Sequence, residues 1–414
     1  MSVPDNAQVV VVGAGLAGLN AARELVRAGV DVVVLEGAPD IGGRVSTDEV
    51  DGLLLDRGFQ LYNPAYPEAR RVLDHDALSL HGFGRGVTVL GEGKPAVIAD
   101  PRSEPRQAWR LANLPGGILA GARFARYAAE CAFLPVDRVK DRPDVPISEV
   151  LTRQIRGRRF TDEVLRPFLA GVFGEWDLAT SRHYADLVLR SFVRGTPSLP
   201  ADGMISIPRQ LAADVGPDRI HCDAPVLQVT AGMVRTRAGV TTADHVIVAT
   251  DGSTAADLVS GVPRPVWNSL TTWYFTLDPA DFGLEPTLLA VDGRRRGPLV
   301  NVAAVSAVAP HYASGGRLLV AASAVGRSSD DEAARRHLRV MFGRRAQDWE
   351  LVARYEIARA LPQFGVGSPL RGAQDFDGVL VAGDHRDTPS IQGAMASGRR
   401  AAATVLDRIG VGHE

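Results

Sequence analysis

The stretch that decides the fold is residues 9–19, VVVVGAGLAGL. Four valines run into a glycine-rich turn, in which Gly13, Gly15 and Gly18 form the pattern G-x-G-x-x-G. Such a turn between a β-strand and an α-helix is typical of a dinucleotide-binding βαβ unit. The free amides and the positive dipole end of the helix then face the phosphates.

Each glycine of this motif has its own physical task. Gly13 allows the tight turn, Gly15 leaves room for the pyrophosphate, and Gly18 lets helix and strand pack closely. A second strand over residues 30–35 ends at Glu36, 18 residues beyond Gly18, where a carboxylate accepts hydrogen bonds from ribose hydroxyls. The same carboxylate would repel a 2′-phosphate, which disfavours NADP.

Composition excludes several classes of function. With 414 residues the chain exceeds the usual single-core limit, so two domains are expected. A formal charge of −2 gives no reason to expect a nucleic-acid partner. Cys131 and Cys222 lie far apart, and the nine histidines show no metal-ligand spacing, so neither a disulfide framework nor a metal site is expected. The N-terminal residues resemble no signal peptide and no apolar run could span a membrane, which predicts a cytoplasmic protein.

The chain leaves the nucleotide-binding region and returns to it twice. Helical spacing dominates residues 108–192, a buried strand HVIVAT covers 245–250, and further strands follow between 266 and 361. A last strand, GVLVA, precedes a C-terminal helix. We therefore predict an α/β fold with a discontinuous Rossmann-type domain and a substrate domain of antiparallel sheet and helices. The nucleotide domain is predicted from residues 1–72, 200–265 and 375–414, and the substrate domain from 73–199 and 266–374.

Four segments resemble the FAD-dependent superfamily that contains flavin amine oxidases, protoporphyrinogen oxidase and phytoene desaturases. The first is GAGLAG with Glu36 and the later Gly42-Gly43-Arg44, and the second is DRGFQ at residues 56–60. The third is Pro225-Val226 together with HVIVAT, and the fourth is the C-terminal GVLVAGDHRDTPSIQGAMASGRR. The character of the chain is nearest to the desaturase-like branch.

The resemblance implies that FAD is bound non-covalently. Backbone amides and a fixed cation would meet the diphosphate, and the first amides of the C-terminal helix would face the flavin pyrimidine. The implied FAD-binding residues are Gly13, Ala14, Gly15, Leu16, Ala17, Gly18, Glu36, Gly37, Gly43, Arg44, Gly58, Phe59, Val226, Thr250, Gly383, Asp384, Ile391 and Ala394. Gln60, Tyr62 and His385 are the polar groups that we predict nearest the ring, as catalytic groups.

Two departures from the amine oxidase pattern bear on the substrate. Amine oxidases of the family place a lysine in the substrate-domain sheet, whereas no lysine follows Lys140 in this chain. They also flank the flavin with aromatic residues near the C-terminal motif, and residues 378–414 contain no Phe, Tyr or Trp. Both absences favour the desaturase-like branch.

We therefore predict an FAD-dependent oxidoreductase that transfers hydride between flavin N5 and a lipophilic, isoprenoid-like or carotenoid-like substrate. Three alternatives stay open: an oxygen-dependent flavin amine oxidase, a redox-neutral isomerase or non-catalytic flavin-binding protein, and a plain NAD dehydrogenase. The sequence also leaves open the oligomeric state, the electron acceptor and peripheral contact with a membrane.

Overall fold

The computed structural model describes residues 3–91, 94–99 and 114–411. Its strands are β1 (Asn6–Val12), β2 (Val32–Leu35), β3 (Thr47–Val50), β4 (Leu53–Asp56), β5 (His81–Gly82), β6 (Gly86–Leu90), β7 (Ala96–Ala99), β8 (Ser198–Leu199), β9 (Ile220–His221), β10 (Val226–Thr230), β11 (Met233–Thr236), β12 (Val240–Val248), β13 (Trp267–Leu277), β14 (Leu289–Asp292), β15 (Leu299–Ala303), β16 (Leu318–Val325), β17 (Glu350–Pro362), β18 (Asp375–Phe376) and β19 (Val379–Val381).

The described residues also contain fourteen α-helices. They are α1 (Leu16–Arg27), α2 (Pro67–Val72), α3 (Ile118–Phe133), α4 (Val136–Lys140), α5 (Ile147–Ile155), α6 (Arg158–Phe160), α7 (Arg166–Phe173), α8 (Arg182–Arg194), α9 (Ser206–Val215), α10 (Gly252–Leu258), α11 (Pro279–Phe282), α12 (Val305–Val308), α13 (Asp331–Phe342) and α14 (Ile391–Ile409).

The first sheet has eight strands and collects segments from both ends of the chain. Its order is β10-β11-β12-β1-β2-β9, with β19 paired to β12 and β18 to β19. Strand β1 runs parallel to both β12 and β2, and β19 runs parallel to β12. The valines of β1 are buried, as expected for a parallel strand with both faces covered. This topology places the loops that follow β1, β12 and β19 at one edge of the sheet.

The second sheet has seven strands in the order β17-β13-β16-β15-β14-β6-β7. Strands β13 to β17 pair antiparallel, as the sequence predicts. One pairing differs, because β14 runs parallel to β6 and thereby adds the hairpin β6–β7 to the sheet. That hairpin was not predicted, since periodicity within a short strand carries no information about its distant partner.

Helices α3, α5, α7 and α8 form a layer around an apolar cluster that includes Leu151, Leu169 and Leu189. The sequence predicts a helix from Trp109 to Phe133, but its first residues lie outside the described ranges. Helix α3 begins only at Ile118, after two glycines with positive φ. Helical spacing also predicts a helix over residues 161–173. The structure has a π-helical turn at Thr161–Leu165, followed directly by α7.

The division into two domains, together with its boundaries, stays a prediction. Strands of the first sheet come from residues 6–35, 220–248 and 375–381, and those of the second from 86–99 and 267–362. In the described part of the chain, no helix combines the length and the apolar character needed to cross a bilayer.

Candidate functional site

The glycine-rich turn leaves one open position where the pyrophosphate is expected. Gly13 has φ of 105°, and a Cβ there would lie 2.9 Å from the carbonyl oxygen of Ala249. A Cβ at Gly18 would collide with the carbonyl oxygen of Gly13. In contrast, a Cβ at Gly15 would meet no heavy atom within 4 Å. Packing therefore explains two of the glycines, whereas the space beside Gly15 is free for a ligand.

The second glycine loop closes on the first. The amide of Gly42 donates to the carbonyl oxygen of Ala14 at 2.8 Å. A Cβ at Gly43 would lie 3.6 Å from the Cα of Gly15, so these two residues face each other. Glycine at both positions allows a diphosphate to approach the backbone from either loop.

Glu36 lies between the first turn and the strand predicted to contact adenine. Its carboxylate accepts hydrogen bonds from the amides of Ala14 at 2.6 Å and Ala38 at 2.9 Å. A Cβ at the adjacent Gly37 would lie 3.5 Å from the Cα of Pro225, and Val226 begins β10 directly afterwards. The predicted ribose and adenine residues are therefore neighbours in the structure.

Arg44 and Asp384, predicted from opposite ends of the chain, form a bidentate ion pair. The guanidinium donates to the two carboxylate oxygens at 2.8 and 2.6 Å, and to the carbonyl oxygen of Ala360 at 2.9 Å. It also lies 5.4 Å from the ring centroid of Trp267. Burial disfavours the charge of Arg44, but Asp384 outweighs this effect and holds the guanidinium pKa above its usual value. The pair joins the two ends of the predicted nucleotide domain, and the contacts of Arg44 with Ala360 and Trp267 reach the predicted substrate domain.

The DRGFQ segment runs against the second sheet. Gly58 has φ of 96°, and a Cβ there would lie 3.1 Å from the side chain of Ile357. The amide of Phe59 donates to the hydroxyl of Thr272 at 3.2 Å, and that hydroxyl lies 3.0 Å from the hydroxyl of Ser323. Strands β13 and β16 thereby position the backbone that is predicted to lie along the flavin.

The C-terminal loop and α14 complete the site. The hydroxyl of Ser390 accepts from the amide of Gly393 at 3.0 Å and caps α14, while Ile391 and Ala394 remain partly accessible. The amide of Gly383 donates to the hydroxyl of Ser397 at 2.7 Å. A Cβ at Gly383 would lie 3.5 Å from the carbonyl oxygen of Thr250, so the ends of β12 and β19 lie side by side.

The three residues predicted as catalytic have different surroundings. The side-chain amide of Gln60 donates to the carbonyl oxygen of Arg44 at 2.6 Å. The hydroxyl of Tyr62 lies 2.7 Å from Nε2 of His75, and the tyrosine is fully buried. These contacts hold Gln60 and Tyr62 through protein partners, and their catalytic roles stay a prediction.

His385 packs between two glycines. A Cβ at Gly252 would lie 2.8 Å from Cγ of His385, and a Cβ at Gly383 would also meet the imidazole ring. Both ring nitrogens are inaccessible to solvent and have no hydrogen-bond partner in the part of the chain that the structure describes. Burial lowers the pKa of His385 to about 4, so the ring is neutral. The two ring nitrogens therefore have no accessible surface toward a ligand, although the residue is partly exposed, and the catalytic role of His385 stays a prediction.

Sequence reasoning did not predict that Asp56 is a buried acid whose hydrogen bonds connect three separate segments of the chain. Its carboxylate accepts from the hydroxyl of Thr47 at 2.6 Å, the amide of Met204 at 3.0 Å and the hydroxyl of Tyr312 at 2.8 Å. Burial raises the pKa of Asp56 to about 6, although these hydrogen bonds oppose the shift. The acid was visible in the DRGFQ motif, but its partners come from distant segments.

These residues fit an FAD. The open space at Gly15, the facing Gly43 and the paired Arg44 leave room for a dinucleotide beside Glu36, the residue predicted to bind ribose. The capped start of α14 lies at the other end of the predicted site. Arg44 keeps 35% of its side chain accessible, whereas Asp384 keeps 5%, so the arginine is the member of the pair that can still meet a phosphate. No group of three or more potential metal ligands occurs within residues 3–91, 94–99 and 114–411.

Comparison with known proteins assigns the family. The family described as flavin containing amine oxidoreductase matches residues 16–406. The chain belongs to this family. It is therefore an FAD-dependent oxidoreductase of the flavin amine oxidase superfamily, with FAD held non-covalently, and the resemblance inferred from the four motifs is confirmed.

Curated relatives include both amine oxidases and a porphyrinogen oxidase. Putrescine oxidase from Kocuria rosea is 28% identical over 284 residues, which cover 64% of this chain and 54% of that protein. Coproporphyrinogen III oxidase from Propionibacterium freudenreichii subsp. freudenreichii is 30% identical over 180 residues, which cover 40% of this chain and 32% of that protein. The matched segments thus span about half of the first relative and a third of the second.

Solved structures share the fold over nearly the whole chain. A structure of putrescine oxidase bound to putrescine has a TM-score of 0.72 and 18% identity, and covers 97% of this chain and 99% of that one. Cyclohexylamine oxidase from Brevibacterium oxydans IH-35A has a TM-score of 0.70 and 17% identity, with 98% and 100% covered. At this identity the likeness establishes the α/β fold and leaves the substrate undetermined.

Proposed function

We propose that the protein transfers hydride between FAD and a neutral, lipophilic substrate of isoprenoid or carotenoid-like character. The observation that carries the proposal is the absence of charge on β13 and β16, the two strands whose Thr272 and Ser323 hold the DRGFQ segment. Bound FAD supplies a hydride acceptor and donor at N5. The protein's own residues position the substrate carbon and exclude water.

An ammonium substrate would need a compensating carboxylate in such a site, because burying an unpaired charge is costly. The buried carboxylates near this site in the described part of the chain are already engaged, and Glu68, for example, is paired with Arg71 and Arg399. Asp56 accepts three hydrogen bonds, and Asp384 is paired with Arg44. None of these is free to receive a protonated amine, which favours a substrate without charge.

Aromatic residues from three distant segments support the same conclusion. The ring centroids of Phe173 and Phe364 lie 5.7 and 5.3 Å from that of Tyr184. The hydroxyl of Tyr184 donates to the carbonyl oxygen of Pro389 at 2.7 Å, one residue before the cap of α14. These side chains form a buried aromatic cluster near the start of α14, whereas residues 378–414 contain no Phe, Tyr or Trp of their own.

An oxygen-dependent amine oxidase is the second candidate. Putrescine oxidase is similar to this chain both in sequence and in structure, and cyclohexylamine oxidase is similar in structure. The lysine that amine oxidases of the family place in the substrate-domain sheet does not occur after Lys140, which counts against this candidate.

Anaerobic reduction of the FAD-loaded protein tests the proposal. Isoprenoid and polyene substrates in detergent are expected to bleach the flavin absorption, or to reoxidise flavin that dithionite has reduced. A panel of mono- and diamines serves as the comparison. Bleaching by an amine with peroxide release in air would overturn the proposal in favour of amine oxidation. Conversion of a polyene with no net redox change would instead indicate an isomerase.

A further inference from the structure

Tyr66 lies where α2 meets the start of α14. It precedes α2 directly, and the amide of Glu68 in α2 donates to the side-chain carbonyl of Gln392 in α14 at 2.9 Å. Its other neighbour is Tyr184, whose hydroxyl is tied to Pro389. Burial, and next the proximity of Tyr66, raise the pKa of Tyr184 well above its usual value, so the two phenols are near each other. Tyr66 therefore lies close to the start of α14, at the end of the site where the flavin ring is expected.

The hydroxyl of Tyr66 differs from those of its neighbours. Tyr62 is bonded to His75 and Tyr184 to Pro389, but among the described residues the Tyr66 hydroxyl has no hydrogen-bond partner. The ring is held edge-on to Tyr62, with centroids 6.2 Å apart and planes at 84°. The side chain is only half-buried, yet burial raises its pKa to about 12. The phenol is therefore neutral and partly buried, and its hydroxyl has no acceptor among the described residues.

We propose that Tyr66 contacts the cofactor and donates a hydrogen bond from its hydroxyl to the pyrimidine side of FAD at the start of α14. The inference rests on the FAD site of the proposed function. An enclosed tyrosine hydroxyl ordinarily finds an acceptor, and the flavin pyrimidine offers carbonyl oxygens. A donor placed where negative charge develops on reduction stabilises the reduced cofactor more than the oxidised one. Tyr66 thereby adds to the effect of the α14 amides.

The test compares Tyr66→Phe with Tyr355→Phe in the FAD-loaded protein. Each variant keeps its aromatic ring and loses one hydroxyl. Tyr355 is also half-buried, but its hydroxyl donates to the carboxylate of Asp48 at 2.8 Å. The midpoint reduction potential of the bound flavin is measured against reference dyes, and the FAD dissociation constant by fluorescence. Tyr66→Phe is expected to lower the potential by about 30 mV, which is a tenfold change for a two-electron couple. Tyr355→Phe is expected to leave the potential unchanged.

Each outcome of this comparison decides the inference. A Tyr66→Phe protein with normal circular dichroism, bound FAD and an unchanged potential would overturn it. Equal shifts in both variants would also overturn it, because they would indicate loss of packing. Tyr66→His restores a ring donor and should recover part of the potential, which a purely structural role would not predict. A wild-type protein that takes up no FAD would remove the cofactor site itself, and thus the proposed function as well.

Discussion

At the scale of the residue, the Arg44 to Asp384 pair shows how burial changes the meaning of a motif. The sequence assigns both residues to FAD, one at each end of the chain. The structure binds them to each other, because a carboxylate with 5% of its surface exposed requires a compensating charge. If Arg44 contacts phosphate as predicted, its charge is already partly neutralised by Asp384. Its role is thus positional as much as electrostatic.

Asp56 leads to a prediction of pH-dependent stability. Its folded pKa of about 6 exceeds the value of about 4 in an unfolded chain, so the folded protein binds this proton more tightly. The contribution of Asp56 to stability is therefore greatest at low pH and declines as pH rises from about 4 to about 6. The difference amounts to roughly 3 kcal/mol, at 1.36 kcal/mol for each pKa unit.

Asp56→Asn should remove this dependence. The amide oxygen can still accept from Thr47 and Met204, and the hydroxyl of Tyr312 can turn to accept from the new amide. Thermal unfolding midpoints at about pH 4.5 and about pH 7 should show the variant gaining relative to wild type as pH rises. Asp257→Asn, at a side chain that is 62% exposed, is the control. A constant difference between Asp56→Asn and wild type would contradict the assignment.

At the scale of the element, the glycines in the turn between β1 and α1 are required for two different reasons. Two of them are required by packing, and one leaves space for a ligand. Gly13 and Gly18 are glycines because backbone atoms fill the space where a Cβ would lie. Gly15 lies in an ordinary extended conformation, with φ of −78° and ψ of 179°, and has open space beside it. The same motif thus contains two structural glycines and one ligand-facing glycine.

Alanine should affect different properties at the two positions: FAD binding at Gly15 and the stability of the apoprotein at Gly18. Gly15→Ala should leave the thermal stability of the apoprotein near wild type and weaken FAD binding at least tenfold, because the methyl group occupies ligand space. Gly18→Ala should destabilise the apoprotein by roughly 1–3 kcal/mol, because α1 must move away from the turn. Calorimetry on apoprotein and fluorescence titration with FAD measure the two quantities. Unimpaired FAD binding by Gly15→Ala would argue against the pyrophosphate location.

At the scale of the whole molecule, the predicted FAD contacts link segments that are far apart in sequence. They come from the loops after β1, β2, β4, β12 and β19, from the start of β10, and from the first turns of α1 and α14. A ligand that touches all of them should stabilise the arrangement of both sheets, since it binds the folded chain and not the unfolded one.

Removal of FAD should therefore lower the stability of the molecule as a unit. At FAD concentrations of about 100 times the dissociation constant, the folded state should gain about 2.7 kcal/mol. Urea unfolding of stripped and reconstituted protein, followed by circular dichroism, measures this gain. FMN lacks the adenosine half and should stabilise less at the same multiple of the FAD dissociation constant. Identical midpoints with and without FAD would contradict the predicted contact set.

The sequence by itself determined the nucleotide-binding unit, the cofactor and the family. Gly13, Gly15, Gly18 and Glu36 lie within one βαβ unit, so their spacing along the chain already specifies their geometry. Most helices and strands of the described ranges follow the predicted periodicity for the same reason, because period and turn chemistry are local.

Only the tertiary structure decided which distant side chains meet. Arg44 and Asp384 are 340 positions apart, and the partners of Asp56 and Tyr184 come from other segments. Such contacts depend on how the sheets pack, and no local pattern encodes this. Only the folded chain shows that the hydroxyl of Tyr62 is bonded to His75, whereas the hydroxyl of Tyr66 has no partner among the described residues. Burial and hydrogen-bond partners, which assign chemistry to a side chain, are properties of the packed molecule.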